Sequence, residues 1–483
     1  MGSTSWQESK VLWHIALPAI LTTVFQFSIG FVTIGFVGHI GEVELGAVTV
    51  AINVIEGFAY GVMVRTDCVL GFWLKPTTSH GHVGMGSALE TLCGQAVGAG
   101  QVDMLGVYIQ RSWIICGATA LLFAYAANFP LQKFFQAQSK VWAMTFISGA
   151  GLALHIVLNY VFVTRLGHGL FGAAMIGNVT WWIIIVAQFA YLVSGCFPEA
   201  WKGFSMLAFN NLAAFVKLSL ASAVMLCLEL WYYSAVLILV GLLKNAQLQV
   251  DIMSVCINYQ LWTLMVAIGF NAAVSVRVSN ELGANRPKAA KFSMIIAVST
   301  SAAIGAVFLA VFLIWRTELP RFFSDNNRVG GGGGELQSLA TFLQHPSSST
   351  ASSLCSQART ITPIGYQINL VIPMTIGTCR FAGVAIGAGW QTLVAFINIV
   401  CYYLFGIPLG VLIGFKLKLG ALGIWVGMSI GTLLQTAILI TICFRAKWEN
   451  QAMLAEERIR KWGGSSETLP AATTTAINDI VDQ

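Results

Sequence analysis

Glu229 is the residue best placed to do chemistry. It is the one charged side chain in the apolar run Leu218–Leu243, and Trp231-Tyr232-Tyr233 follow it closely. A charge at the centre of a bilayer costs about 2.5–3.5 kcal/mol even on insertion scales, so such residues pair, meet water or serve a pathway. A carboxyl that takes and releases a proton at that depth is a proton carrier; a glutamate bonded to neighbouring hydroxyls is the structural alternative. Glu56 stands likewise alone in Leu45–Val64, where it touches a cavity or bonds a neighbouring helix. Glu90, beside Cys93-Gly94-Gln95, is expected to orient a helix end. The amides Gln26, Asn53, Asn258, Gln260 and Asn271 also lie in apolar surroundings. They line a substrate path or tie helices together by hydrogen bonds. Tyr232, Tyr259, Trp262, Phe270, Tyr402 and Tyr403 are expected to form an aromatic wall. Such a wall binds flat or cationic organic molecules by stacking and cation–π attraction; anchoring at the membrane interface is the alternative use.

Other chemistries find no support. The ten cysteines include no pair separated by two residues, and Cys116, Cys227, Cys256, Cys401 and Cys443 fall in apolar runs. They read as small buried thiols rather than disulfides or metal ligands. His80-Gly81-His82 lacks a third ligand, so no metal is expected. Asn178-Val179-Thr180 has the form of a glycosylation acceptor but leads into Trp181-Trp182 and an apolar run, which places it inside the membrane. There is no phosphate-binding loop and no His-Glu-x-x-His, so no cofactor is implied. A membrane enzyme would need clustered His or Asp on adjacent helices, and the sequence offers none; the chain is not expected to be an enzyme.

The elements that hold these residues follow from composition. Hydrophobic residues make up 57% of the 483 and charged residues 10%, against about 25% charged in a soluble domain. About 20 apolar residues span the hydrocarbon as a helix. Runs free of Asp, Glu, Lys and Arg extend over Val11–Gly41, Ser112–Gln132, Val141–Thr164, Leu166–Pro198, Ile252–Val276, Phe292–Trp315, Phe381–Phe415 and Leu419–Phe444. With Leu45–Val64 and Leu218–Leu243 they make ten spans, and Ile361–Thr378, with two prolines, is an eleventh of weaker quality. The expected fold is an all-α polytopic membrane protein.

The net charge of +6 points to the lipid bilayer and not to nucleic acid. Arg277, Arg286, Lys288 and Lys291 share one connection, and Arg445, Lys447, Arg458, Arg460 and Lys461 follow the last span. The positive-inside bias places both groups, and both termini, on the cytoplasmic side. The first run reads as a retained helix and not as a cleaved leader.

An internal repeat organises the chain. Thr49–Asn53 overlies Ser254–Asn258 at an offset of 205; Gly84, Ala88, Gly98 and Ala99 overlie Gly269, Ala273, Gly283 and Ala284 at 185; Leu166, Gly169 and Gly172 overlie Leu417, Gly420 and Gly423 at 251. Two halves of one repeat around a central cavity is a common plan for secondary transporters. The expected organisation is a bundle over 1–200, a linker over 201–215, a bundle over 216–444 and a cytoplasmic tail over 445–483. The shifting offsets predict an insert over 64–83 and a first half one helix short. The glycine run Gly330–Gly334 and the Ser-rich Ser347–Ser353 mark a flexible insert over about 326–362. The symmetry calls for twelve helices, of which ten or eleven are present.

Several long strings resemble the plant branch of the multidrug and toxic compound extrusion (MATE) family, the DETOXIFICATION or TRANSPARENT TESTA type. They are Ser87–Gly100 (SALETLCGQAVGAG), Gln136–Met144 (QAQSKVWAM), Cys196–Trp201 (CFPEAW), Ile257–Trp262 (INYQLW), Asn271–Ala284 (NAAVSVRVSNELGA), Ala385–Gln391 (AIGAGWQ) and Cys401–Gly410 (CYYLFGIPLG). The resemblance implies two six-helix bundles and exchange of protons or sodium for organic substrates, usually protons in plants. It implies a monomer in the vacuolar or plasma membrane that exports secondary metabolites or xenobiotics. Glu229 occupies the place of the family's proton-coupling glutamate on the seventh helix. The acidic partner that some relatives carry on the tenth helix is absent, since no Asp or Glu lies between Glu335 and Glu449. The family pattern is departed from at 64–83, at Leu122–Phe123 and from about Asn326 to Phe381. Two other readings stay open: a transport-inactive splice or gene-model variant, and a lipid or oligosaccharide flippase of related architecture, although a flippase cavity would be richer in Arg and Lys.

Overall fold

The structure, a computed structural model, describes residues 2–38, 40, 83–119, 124–209, 212–243, 246–314 and 381–461. The described residues form helices and no strand. In chain order these are α1 (Gly2–Gly38), α2 (Val83–Gly98), α3 (Met104–Thr119), α4 (Ala124–Ala137), α5 (Val141–Asn159), α6 (Gly169–Val193), α7 (Leu212–Gly241), α8 (Ala246–Gly283), α9 (Pro287–Ile314), α10 (Gln391–Asn398), α11 (Ile407–Val411), α12 (Gly420–Arg445) and α13 (Trp448–Lys461). A further helical stretch covers 381–388. Seven stretches among the described residues are long and apolar enough to cross a membrane. Large apolar side chains such as Phe146, Phe171 and Val186 face outward, as lipid-facing residues must. The expected inserts fall outside the described residues, apart from Val83, where α2 begins.

Two of the expected spans are divided. Ser112–Gln132, expected as one, is split between α3 and α4, and Phe381–Phe415 breaks at Gly389, whose φ is +78°. An uncharged run is not the same thing as a helix. Here the helices take in charged residues because those residues find partners. Arg111 of α3 donates to the Leu207 carbonyl, and Lys133 of α4 sits 2.6 Å from the buried carboxylate of Glu90 on α2. The tail after the last span is likewise structured near its start. Its helix α13 folds back so that Arg458 donates to the Ala388 carbonyl and the Trp390 indole donates to Gln451.

The repeat is written into the backbone. Helix α5 runs into a π-helical segment Tyr160–Arg165, and α11 into another, Leu412–Lys416. Leu166 N–H bonds the Val161 carbonyl and His168 N–H the Phe162 carbonyl; Leu417 and Leu419 bond Leu412 and Ile413 in the same way. Positive φ recurs at Gly167 and Gly169 and at Lys418 and Gly420. Each of the hydrogen-bonded and positive-φ pairs keeps the offset of 251. Helices α5 and α6 therefore correspond to the α10–α11 stretch and α12.

The halves meet where α2 crosses α8. A side chain on Gly98 would run into the Asn280 carbonyl, and one on Gly283 would run into the Gln95 carbonyl. Gln95 and Asn280 are themselves repeat mates at the offset of 185, as are Gly98 and Gly283. The contact is reciprocal, so a local two-fold axis passes through the crossing. A second seam joins α1 to α8, running antiparallel. Glu8 accepts from Arg277 and from Ser293 of α9, Arg277 also pairs with Glu281, Gly269 meets the Ile20 backbone, and Thr23 donates to the Met265 carbonyl. Gly283→Leu is expected to destabilise the protein by about 1–3 kcal/mol through overpacking. Gly177→Ala, in open space on α6, should leave the melting temperature in detergent unchanged or slightly raised. Equal melting of the two variants would show that the crossing is not tight.

Candidate functional site

In the second half, polar groups converge on the turn of α7 that carries Glu229. The Met225 carbonyl accepts from the Asn398 amide at 3.3 Å and the Leu228 carbonyl from the Tyr403 hydroxyl at 2.9 Å. Tyr232 lies flat on Tyr402, centroids 4.4 Å apart with planes 5° from parallel, and its hydroxyl donates to the Met428 carbonyl. Gln435 links the other two: it accepts from the Tyr402 hydroxyl and donates to Asn398. Three elements, the α10–π stretch (α10 with its π-helical continuation Ile399–Gly406), α12 and α7, are thereby fixed around a half-buried Glu229. None of the three ion pairs among the described residues includes it. Close packing is possible because Gly406 and Gly431 sit against the Tyr232 hydroxyl, where any side chain would displace the ring.

The aromatic wall expected from sequence is two separate groups. Tyr232, Tyr402 and Tyr403 gather beside Glu229. Trp262 instead takes Phe27 and Phe31 edge-on, 5.2 and 5.6 Å away, and Phe270 meets Trp13. Both of these latter contacts lie on the α1–α8 seam. Periodicity cannot say which neighbour a helix face will meet, so the sequence merged the two groups. Tyr259 lies in α8, and Asn53 and Glu56 fall outside the described residues. Asn271, also on α8, keeps a buried Oδ1 without a hydrogen bond, with Gly383 packed against it. Glu90 pairs with Lys133 and ties α2 to α4.

Gln26 belongs to a different network, inside the first half. It donates to Ser148 at 3.2 Å and accepts from Gln132 at 3.0 Å, joining α1, α5 and α4. One turn earlier on α1, Thr22 meets Thr145. Further along the same faces, His155 is fully buried between Thr33, Thr180 and Asn159. Sequence reasoning passed over His155. The run Val141–Thr164 is defined by its lack of Asp, Glu, Lys and Arg, a criterion that a neutral imidazole also meets. The useful signal was a histidine centred in an uncharged span.

Fold and site together define a polytopic helical membrane protein of two repeated halves, each enclosing polar side chains at membrane depth. The MatE family model matches residues 76–127 and 221–412. Protein DETOXIFICATION 31 of Arabidopsis thaliana is 43% identical, over 98% of this chain and 87% of its own length. Protein DETOXIFICATION 30 of the same plant is 44% identical, over 95% and 90%. The crystal structure of the eukaryotic MATE transporter AtDTX14 superposes with a TM-score of 0.75 at 27% identity, covering 94% of this chain and 99% of that one. An outward-facing MATE transporter of the MOP superfamily shares the fold at 13% identity and a TM-score of 0.67. The chain belongs to the MATE family of membrane transporters, which export compounds. Gln435→Leu should remove the hydrogen bonds to the Tyr402 hydroxyl and the Asn398 carbonyl oxygen and cost about 0.6–1.7 kcal/mol. A thermal melt in detergent reads this, and an unchanged melting temperature would mean that the network holds nothing together.

Proposed function

We propose that the chain exports small organic compounds by exchanging them for protons, with Glu229 carrying the exchanged proton. The observation that supports this most directly is the arrangement around Glu229. A single carboxyl, outside every ion pair seen among the described residues, stands on a helix turn whose Met225 and Leu228 carbonyls each accept a hydrogen bond and whose Tyr232 hydroxyl donates to Met428, beside a stacked pair of tyrosines. Protonated, Glu229 is compatible with an apolar neighbourhood; ionised, it needs water or a cationic guest. Proton release and binding of an organic cation are then alternatives at one place, which is what exchange requires. The Tyr232–Tyr402 pair supplies faces for a flat or cationic molecule. Plant secondary metabolites and xenobiotics have that chemistry, and the names of the DETOXIFICATION relatives agree with it. The protein acts as a monomer in the vacuolar or plasma membrane, with both termini in the cytoplasm.

In vesicles, Glu229→Gln is expected to abolish efflux driven by a pH gradient while leaving expression and melting temperature close to those of the unaltered chain. Glu229→Asp should retain part of the activity. Undiminished proton-driven transport by the glutamine variant would remove Glu229 from the mechanism.

A further inference from the structure

The first half has its own ionisable group at membrane depth, and the repeat says where it sits. At the offset of 251 that the backbone hydrogen bonds obey, His155 corresponds to Gly406, Asn159 to Gly410 and Thr180 to Gly431. In the second half, Gly406 and Gly431 make room for the Tyr232 hydroxyl, one helical turn from Glu229. In the first half, three polar side chains fill the same place. The two halves thus put different chemistry at one equivalent position.

The hydrogen bonds around the imidazole are poised between two protonation states. Thr180 donates its hydrogen to the Ile176 carbonyl at 2.8 Å, and Thr33 donates to the Ile29 carbonyl at 3.0 Å. Each hydroxyl therefore turns a lone pair to the ring, Thr180 to Nδ1 at 2.9 Å and Thr33 to Nε2 at 3.0 Å. Two acceptors on opposite ring nitrogens match an imidazolium, which donates from both. The Asn159 amide matches the neutral ring instead. Its Nδ2 donates to Nε2 at 3.0 Å and to the His155 carbonyl, while its own Oδ1 is buried without a hydrogen bond. A proton added from water to Nε2 would be given on to Thr33 as a hydrogen bond, and Asn159 would have to move aside.

Among the described residues, charged neighbours do not compete for this role. On α1, Glu8, Lys10 and His14 stand toward the far end, nineteen or more residues before Thr33, about 28 Å along the helix. On α6, Tyr191 is three turns from Thr180. On α4, Lys133 is paired with Glu90, and Arg165 of the π segment is exposed against Tyr160. A polar path leads toward the ring. Gly151 meets Ile184, and His155 meets Thr180, so Gln188 lies level with Ser148. Gln188 is fully buried, with both Nε2 and Oε1 lacking a hydrogen bond among the described residues, level with the layer of Gln26, Gln132 and Ser148. An amide left so is suited to hold water.

We propose that His155, with Thr33, Thr180 and Asn159, is a second proton-binding site, in the first half of the transporter and separate from Glu229. It rests on the proton-exchange reading for its use in transport but not for its chemistry. Neutral, the ring ties α1, α5 and α6 together; protonated, it breaks the Asn159 bond and loosens that packing, so that proton binding biases the first half between two arrangements.

The test is solid-state NMR of the full chain in lipid bilayers with nitrogen-labelled histidine, following the imidazole signals from about pH 8 to about pH 5, the range in which histidine acts as a switch. The His155 signal is assigned by its loss in His155→Gln or, should that variant not fold, by its displacement in Thr180→Ser. The expected result is a ring protonated on Nδ1 alone at the upper end that becomes doubly protonated toward the lower end, both in the unaltered chain and in Glu229→Gln. In vesicles, Thr33→Val, which removes the Nε2 acceptor, should weaken the dependence of efflux on acidity several-fold while Glu229-dependent coupling persists. A His155 ring that stays singly protonated throughout would overturn the proposal and leave the Glu229 reading untouched. Titration that vanishes in Glu229→Gln would also overturn it, by showing one coupled site rather than two.

Discussion

The close backbone crossing of α2 over α8 is the constraint on which the rest depends. Glycine at positions 98 and 283 lets each helix touch the other's peptide groups, an approach that favours association where lipid and side chain are equally apolar. Polar bonds then reinforce the seam: Thr91 donates to the Ile386 carbonyl, Gln95 to the Gly387 carbonyl, and Gln391 to Thr91. With that joint fixed, α7 and α8 are held beside α2, and the turn bearing Glu229 is held to the stretch that carries Asn398, Tyr402 and Tyr403. The site is thus assembled by packing that lies well away from it.

Much of this was legible in the sequence. Uncharged runs located most helices, because hydrocarbon leaves the backbone no partner but itself. The repeat offset of 251 proved to be a hydrogen-bond offset, down to the bonds that close the π turns at Tyr160–Arg165 and Leu412–Lys416. Glu229 is legible as the one charge in its run, and its helix α7 is where that run predicts one. What stayed hidden depends on which faces meet. Trp262 and Tyr232 carry the same kind of side chain, yet one lies against α1 and the other against the α10–π stretch. Arg111 and Lys133 looked like boundaries, yet helices continue through them because a carbonyl and a carboxylate await them. His155 was invisible to a search for formal charge.

Asymmetry within symmetry is the other theme. The turns that close α5 and α11 follow the same hydrogen-bond pattern, but the interior of one copy is filled by His155, Asn159 and Thr180 and that of the other by glycines and a tyrosine ring. A repeat conserves the path of the chain, since both copies must match one bilayer thickness. Side chains inside each copy are free to diverge, and so can divide labour between aromatic surface and hydrogen-bond network.

The stretch that joins the halves has a mechanical consequence. Gln110 on α3 donates to the Gly203 carbonyl and accepts from the Ser205 N–H, and Arg111 beside it holds the Leu207 carbonyl. The upstream part of the connection is thereby clamped to the first half like a rope made fast to a cleat. Any motion of α3 therefore draws Gly203–Leu207 along with it. The mechanical edge of the first half is therefore Leu207 and not Val193, where its last long helix ends.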